Sequence, residues 1–165
     1  MRLQSAGERW RNVAKGRASV GGVRQGRGMD GPGLHATALR VAAGLPAVTQ
    51  GQPFGEGAEV FKVVGKVFAI VSELRGTPIV SLKCRPPHAA ALVRDHPEIT
   101  PGYHLNKQHW ITVAPGAGVD EVLVEDLVGN SYDLVVVGLP RHRRPLDPWR
   151  RGDVGDLRPA PDNAG

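Results

Sequence analysis

The succession of hydrophobic periodicities along residues 34–139 constrains the fold more than any other feature of this 165-residue chain. A helical period comes first, followed by three alternating stretches, a short helix, two further alternating stretches and a final helical period. Runs of strands without a repeated βαβ unit favour an antiparallel sheet that helices cover on one face. The sequence therefore predicts a two-layer α+β domain with a five-stranded antiparallel sheet and the order α-β-β-β-α-β-β-α.

Residues 57–72, GAEVFKVVGKVFAIVS, predict the first β-hairpin. Gly65 and Lys66 fit a two-residue type II′ turn, which prefers glycine at its first central position. In that register Lys62 points away from the core face. The predicted cross-strand pairs on the core face are Val63 with Phe68 and Phe61 with Ile70. A third strand follows, in which Val80, Leu82 and Cys84 alternate with Ser81 and Lys83.

Residues 102–113, GYHLNKQHWITV, predict the second hairpin, with Asn106 and Lys107 as its loop. That register pairs Tyr103 with Trp110 and His104 with His109, and such partners lie about 5 Å apart at Cβ. Two faces result and the sequence leaves open which one is buried: Tyr103, Leu105, Trp110 and Thr112 on one, and His104, His109, Ile111 and Val113 on the other. The two aromatic residues are either an exposed stacking platform beside Lys107 or part of the core.

The positive charge of the chain is unevenly distributed. The formal net charge is +5, but residues 1–28 hold seven Lys or Arg against one acidic residue, and residues 141–165 hold six Arg against four Asp. Residues 29–140 hold eleven acidic residues against eight basic ones. Since phosphate binding needs cations clustered on one face, the high isoelectric point does not by itself indicate a nucleic-acid partner.

Domain boundaries follow the loss of periodicity at both ends. We expect residues 1–29 to form a disordered basic head, residues 30–141 the folded domain, and residues 142–165 a disordered tail rich in Arg, Pro and Asp. Met29 precedes the first patterned segment and is an alternative start of the natural chain. Both ends interleave Arg with Trp, which suits nonspecific nucleic-acid contact and is equally typical of solvating appendages.

The cellular environment is predicted from what the sequence lacks. Its apolar stretches fall short of the roughly 20 residues of a membrane span, and its head lacks the apolar segment of a secretory signal. Cys84 is the single cysteine, which excludes an internal disulfide and a cysteine-based zinc cluster, and we expect its thiol to be buried. These features predict a cytoplasmic protein, which we expect to be monomeric.

Several segments of the patterned region closely resemble the MmcQ/YjbR family: PFG at residues 53–55, VFKVVGKVFAI, SLKC, ITPGYHLNKQHWITV and SYDLVVVGLP. The most specific element is Pro101 to Lys107 followed by His109 and Trp110, with SYDLV downstream in the expected order. The resemblance covers about residues 34–140 and implies a compact α+β domain called a double-wing fold, which is also likened to the frataxin-like fold. The family is commonly labelled DNA-binding and brings no catalytic residue set.

The resemblance turns attention to basic residues near the hairpin tips. Lys66 and Lys107 lie where two wings can contact a duplex backbone, although lysines also protect exposed strand edges. Arg94 is a further candidate for a basic patch that faces phosphates. The predicted nucleic-acid-binding candidates are Lys62, Lys66, Lys83, Arg85, Tyr103, His104, Asn106, Lys107, His109 and Trp110, and the predicted partner is DNA.

Other functions have weaker support in the sequence. A metal site built on His104 and His109 needs a third ligand from Cys84, His88 or His96, and no metal-binding spacing supports it. Hydrolase and phosphate-loop motifs are absent, so we expect neither an enzyme nor a cofactor. The alternative to DNA binding is a protein-interaction or small-ligand-binding module that uses the open face of the sheet.

Overall fold

The computed structural model describes residues 28–145 of the chain. Apart from a few residues at their inner ends, the predicted head at 1–29 and the predicted tail at 142–165 lie outside these described residues. Three α-helices and six strands follow one another: α1 Gly31–Gly44, β1 Val48–Gly51, β2 Glu59–Val63, β3 Lys66–Leu74, β4 Thr77–Lys83, α2 Pro86–Asp95, β5 Ile99–Pro101, β6 Trp110–Val113 and α3 Glu121–Val137.

The strands form one antiparallel sheet in the order β1-β2-β3-β4-β6-β5. The predicted α+β class is confirmed, but the sheet has six strands and not five. The additional strand is β1, whose four residues VTQG are mostly exposed and lack apolar alternation. β1 is a strand only because it pairs with β2 at the edge of the sheet. A prediction from hydrophobic periodicity cannot detect such an edge strand, because its residues do not alternate between apolar and polar.

The helices cover one face of the sheet and enclose the core. α1 and α3 pack on the central strands β3 and β4, while α2 packs on β5. Val80 and Leu82 of β4 pair with Val113 and Ile111 of β6, and all four face the helices. Because side chains alternate along a strand, Lys83 and Trp110 lie on the opposite face. We call this opposite face of the sheet the open face.

Local chemistry determines where the helices begin. Oδ1 of Asp30 accepts a hydrogen bond from the Gly33 N–H at the start of α1, and Oδ1 of Asp120 accepts one from the Leu123 N–H at the start of α3. α2 begins with two prolines, whose missing N–H groups are not needed in a first helical turn. None of these three helices combines the length and apolar character that crossing a bilayer requires.

The predicted register of the first hairpin is wrong by one residue. Val64 and Gly65 form the turn, both with positive φ, as a type I′ turn requires. A β-bulge between Phe61 and Lys62 then pairs Phe61 with Ala69. Ile70 consequently pairs with Val60, and not with Phe61, because a one-residue slip moves a side chain to the other face. Lys62 still points away from the core.

Ser131 joins α3 to the end of the central strands. Its fully buried hydroxyl donates a hydrogen bond to the Phe68 carbonyl at 2.5 Å and accepts one from the Lys83 N–H at 2.8 Å. Both backbone groups lie one residue beyond Ala69 and Leu82, the last pair of the β3–β4 ladder. One small side chain therefore satisfies two polar groups that the sheet leaves unpaired.

We expect Ser131→Ala to lower the free energy of unfolding by about 2–4 kcal/mol, because it leaves a buried N–H and a buried C=O without a partner. Urea denaturation followed by circular dichroism measures the change. Ser72→Ala, on the half-buried open face of β3, is the matched control and should change stability by less than about 1 kcal/mol. Equal losses in the two variants would contradict the bridging role.

Candidate nucleic-acid interface

The strand register places two loops at the same end of the sheet. The β2–β3 turn joins Val63 to Lys66, and the last residue of β4, Lys83, pairs with the first residue of β6, Trp110. Since the start of β3 pairs with the end of β4, the β2–β3 turn and the 102–109 loop between β5 and β6 project from one end. We call this region, with the Arg85 that follows β4, the cationic end.

Basic side chains from several elements meet at the cationic end. Lys66 and Lys107 are exposed at the turn and in the loop, and Arg85 is exposed at the start of α2. Lys62 and Lys83 lie half-buried on the open face, on strands separated by β3, so their backbones are roughly 10 Å apart. The predicted basic candidates therefore lie together, with the exception of Arg94, which is ion-paired to Asp95 at the far end of α2.

The C-terminus of α3 adds arginines that the sequence prediction did not include. Ser131 holds α3 against Phe68 and Lys83, so the helix ends beside the cationic end. A 3-10 turn, Arg141–Arg143, follows, and Arg144 donates hydrogen bonds to the carbonyls of Val137 and Leu139. The sequence prediction ended the domain at residue 141, because glycine and proline stop the helical period there. Only the direction of α3 in the fold relates these arginines to the lysines of the sheet.

Carboxylates are concentrated at the other end of the molecule. Glu73 is the penultimate residue of β3, Asp95 ends α2, and Glu98 precedes β5. A hydrogen bond from the Gly118 N–H lowers the pKa of Glu98, and one from Arg94 lowers the pKa of Asp95, so both carboxylates stay charged. In the described part of the chain, Asp133 is the carboxylate that lies near the cationic end, beside Arg85. Charge is thus separated along the strand direction.

The ion pairs that join two described residues lie away from the cationic end. Arg40 of α1 pairs with Glu121 and Glu125 of α3, and Arg94 pairs with Asp95. Lys83 contacts an aromatic ring: its Nζ lies 5.6 Å from the centroid of Trp110. Lys66 and Lys107 at the tips are exposed and form no ion pair with another residue of 28–145.

The predicted geometry of the second hairpin is wrong. β5 ends at Pro101 and Gly102 donates to the Trp110 carbonyl, so residues 103–109 form a long loop instead of continuing the strands. Tyr103 does not pair with Trp110, and His104 and His109 are not cross-strand partners. A Cβ on Gly102 would lie 2.6 Å from the Trp110 Cβ, which shows how closely the loop begins against the indole.

Side chains of the loop organise its own backbone. Oδ1 of Asn106 accepts hydrogen bonds from the N–H groups of Gln108 and His109, as in an Asx turn. The Tyr103 ring contacts His104 with 4.0 Å between centroids, and its backbone N–H donates to Oγ1 of Thr112. Asn106 therefore shapes the loop, and Tyr103 is the aromatic side chain that remains accessible, with 43% of its surface exposed.

The structure also decides which face of β6 is buried. Ile111 and Val113 belong to the core, while Trp110 and Thr112 lie on the open face. Trp110 is half-buried and its ring is approached by Lys83, so it is only partly available for stacking. Tyr132 is a core residue, 2% exposed, and its hydroxyl donates to the Pro46 carbonyl.

Metal and thiol chemistry have little geometric basis here. Across residues 28–145, no three His, Cys, Asp or Glu side chains converge as metal ligands. Cys84 is 5% exposed, which confirms the predicted buried thiol, and burial raises its pKa to about 11. A thiol with so high a pKa is a poor nucleophile at neutral pH.

Because the folded chain keeps the Cys84 proton to about pH 11 while the unfolded thiol loses it near 9.0, stability should fall as pH rises between these values. Below this window the thiol is neutral in both states and has no effect. Denaturation curves of the native chain and of Cys84→Ala measure the effect, because other titrating groups act equally in both. A native chain that does not lose more stability than Cys84→Ala over this window would contradict the assignment.

Comparisons with known proteins agree with this architecture. The protein DR2400 of Deinococcus radiodurans, which has a DUF419 domain, has a crystal structure that matches with a TM-score of 0.59 and 32% identity, over 70% of this chain and 86% of that one. The uncharacterised YbdF of Escherichia coli O157:H7 is 47% identical over 113 residues, which are 68% of this chain and 93% of that protein. The uncharacterised YjbR of Escherichia coli strain K12 is 38% identical over 89 residues, or 54% and 75%.

The family assignment follows from these matches. The YjbR family model matches residues 43–134, which begin near the end of α1 and include all six strands, α2 and most of α3. The long basic segments outside this region have no counterpart in that match. The expectation drawn from the motifs is therefore confirmed, and this chain belongs to the YjbR family.

Proposed function

We propose that this protein binds DNA through the cationic end, mainly by contacts to the phosphate backbone, and that it has no catalytic activity of its own. The observation that carries the proposal is the separation of charge along the strands. Basic residues from β2, β3, β4 and the 102–109 loop share one end, and most carboxylates of the described residues lie at the other. A local positive potential is what an approaching polyanion responds to.

The spread of these cations suits an extended anion better than a small one. Lys66 and Lys107 lie on two separate loops, and Lys62 and Lys83 lie roughly 10 Å apart across β3. Flexible lysines act as point charges, which attract phosphates without reading base sequence. The proposal therefore implies binding with little sequence preference. We further propose that the protein is cytoplasmic and acts as a monomer.

The alternative, a protein partner or small ligand on the open face, has less support. The large apolar side chains that are exposed within residues 28–145 are Phe54, Tyr103, Val122 and Val137. Only Tyr103 is bonded to a residue of the open face. The apolar residues of this face, such as Val60 and Ile79, are buried or half-buried. Within residues 28–145 the face therefore lacks the contiguous exposed apolar patch that marks such a contact surface.

We expect the affinity for duplex DNA to fall steeply with salt, and Lys66→Ala/Lys107→Ala to make the log–log slope less negative by about 2. Each lysine that contacts a phosphate releases about 0.9 counterion equivalents, so two lost contacts produce this change. Fluorescence anisotropy across a salt series measures the slope. Arg75→Ala, in the β3–β4 turn at the opposite end, removes the same kind of charge and should leave the slope unchanged.

A further comparison separates the domain from the basic head and tail. A chain reduced to residues 28–145 should still bind DNA in a manner that depends on Lys66 and Lys107. Complete loss of binding with the ends would show that the cationic end is not the DNA contact. If Arg75→Ala changed the salt slope as much as the double lysine variant does, DNA binding would depend on the overall charge of the protein and not on the cationic end.

A further inference from the structure

A groove opens on the helix side of the cationic end. It lies between the start of α2 and the last turns of α3, with Cys84, the residue directly after β4, between them. Its volume is about 240 Å³. This volume is smaller than the usual site for a drug-sized ligand.

The groove combines an apolar wall with polar groups of different kinds. Leu134 and Val137 supply the apolar wall, and the Val137 side chain is exposed to 58% although it lies on a helix. Asn130 contributes a carboxamide, which both donates and accepts hydrogen bonds. Arg85 and His88 line the same groove on the α2 side, and the Asp133 carboxylate lines it on the α3 side, beside Arg85. Arg85 also belongs to the cationic end.

These groups define the chemistry of a ligand. An aliphatic wall suits the face of a flat ring, and a carboxamide suits a ring edge with alternating donors and acceptors. The neighbouring guanidinium suits a phosphate, which it can bind through two hydrogen bonds. A nucleotide combines a flat ring, a hydrogen-bonding edge and a phosphate in one molecule, and a single base is of a size to enter this groove.

We propose that the groove binds one nucleotide, with the base against Leu134 and Val137, its edge at Asn130 and its phosphate at Arg85. The ligand is either a free nucleotide or an unpaired nucleotide at the end of a DNA strand. In the second case the inference deepens the proposed DNA binding, because Arg85 connects the groove to the cationic end. Free-nucleotide binding can be measured without DNA, so the two proposals can fail separately.

The single cysteine of the chain provides a direct measurement, because Cys84 lines the groove. A small thiol reagent should modify Cys84 of the full chain more slowly when the groove is occupied. With dAMP at ten times its Kd, about one groove in ten stays open, so the rate should fall about ten-fold. Ribose 5-phosphate, which lacks the base, should protect far less at the same concentration. The reaction is followed at mildly alkaline pH by mass spectrometry.

Two valines of α3 give a matched pair of variants. Val137 lines the groove, while Val122 at the other end of the helix is similarly exposed, at 49%. Val137→Ala should weaken dAMP binding in calorimetry about five- to fifteen-fold through the lost apolar contact, and Val122→Ala should leave it unchanged. Asn130→Ala should weaken it about three- to ten-fold through the lost hydrogen bond. Alanine suits helices, so both groove variants should fold.

The outcomes separate the possibilities. If dAMP and single-stranded DNA protect Cys84 and a blunt duplex protects it less, the groove binds the end of a DNA strand. If dAMP alone protects Cys84, the groove binds free nucleotides. Equal protection by ribose 5-phosphate and dAMP would overturn the base site and leave only a phosphate contact. Absence of protection by dAMP and by single-stranded DNA would overturn the inference, while salt-dependent duplex binding would leave the proposed function standing.

Discussion

The position of β4 between β3 and β6 determines where the side chains of the candidate interface lie. β4 pairs antiparallel with both neighbours, so its last residue, Lys83, lies beside the start of β3 and the start of β6. The β2–β3 turn and the 102–109 loop must then project from the same end. The core makes this register robust, because Leu82 and Ile111 face the helices and a one-residue slip would turn them to solvent.

Charge follows from the same arrangement. Residues 28–145 contain acidic and basic residues in equal number, so the domain has no net charge from which a partner could be inferred. The placement of the charges is more informative: the lysines of the turn and loop and Arg85 lie at one end of the sheet, and the arginines follow α3, which runs toward that end. The long-range attraction of a polyanion depends on such local accumulation of positive charge. An ion pair such as Arg40 with Glu121 joins α1 to α3 and contributes little to the electrostatic potential at a distance.

The element order was predictable because each helix and most strands have a period of their own. The central strands and α3 carry apolar residues at their characteristic spacing, and Asp30 and Asp120 cap helices as their positions indicate. β1 was not predictable, since VTQG becomes a strand only by pairing with β2. The turn at Val64 and Gly65 also defeats local rules, because valine rarely adopts positive φ and does so here through its place between paired strands.

The candidate site likewise has a part that the sequence predicts and a part that only the structure shows. The motif from Pro101 to Trp110 identifies the family, and the basic candidates on β2, β3 and β4 can be chosen by the alternation of side chains. The loop geometry of Tyr103 and His104, the contact of Lys83 with Trp110, and the groove beside Val137 join residues distant in sequence.

The sequence by itself determined the fold class, the family and which residues are chemically suited to meet an anion. These properties depend on local periodicity and residue type, which can be read from the sequence directly. Only the tertiary structure decided that the lysines share one end, that the carboxylates lie at the other, and that α3 brings its arginines and a groove beside them. Such relations depend on strand register and helix direction, and both result from packing across the whole core.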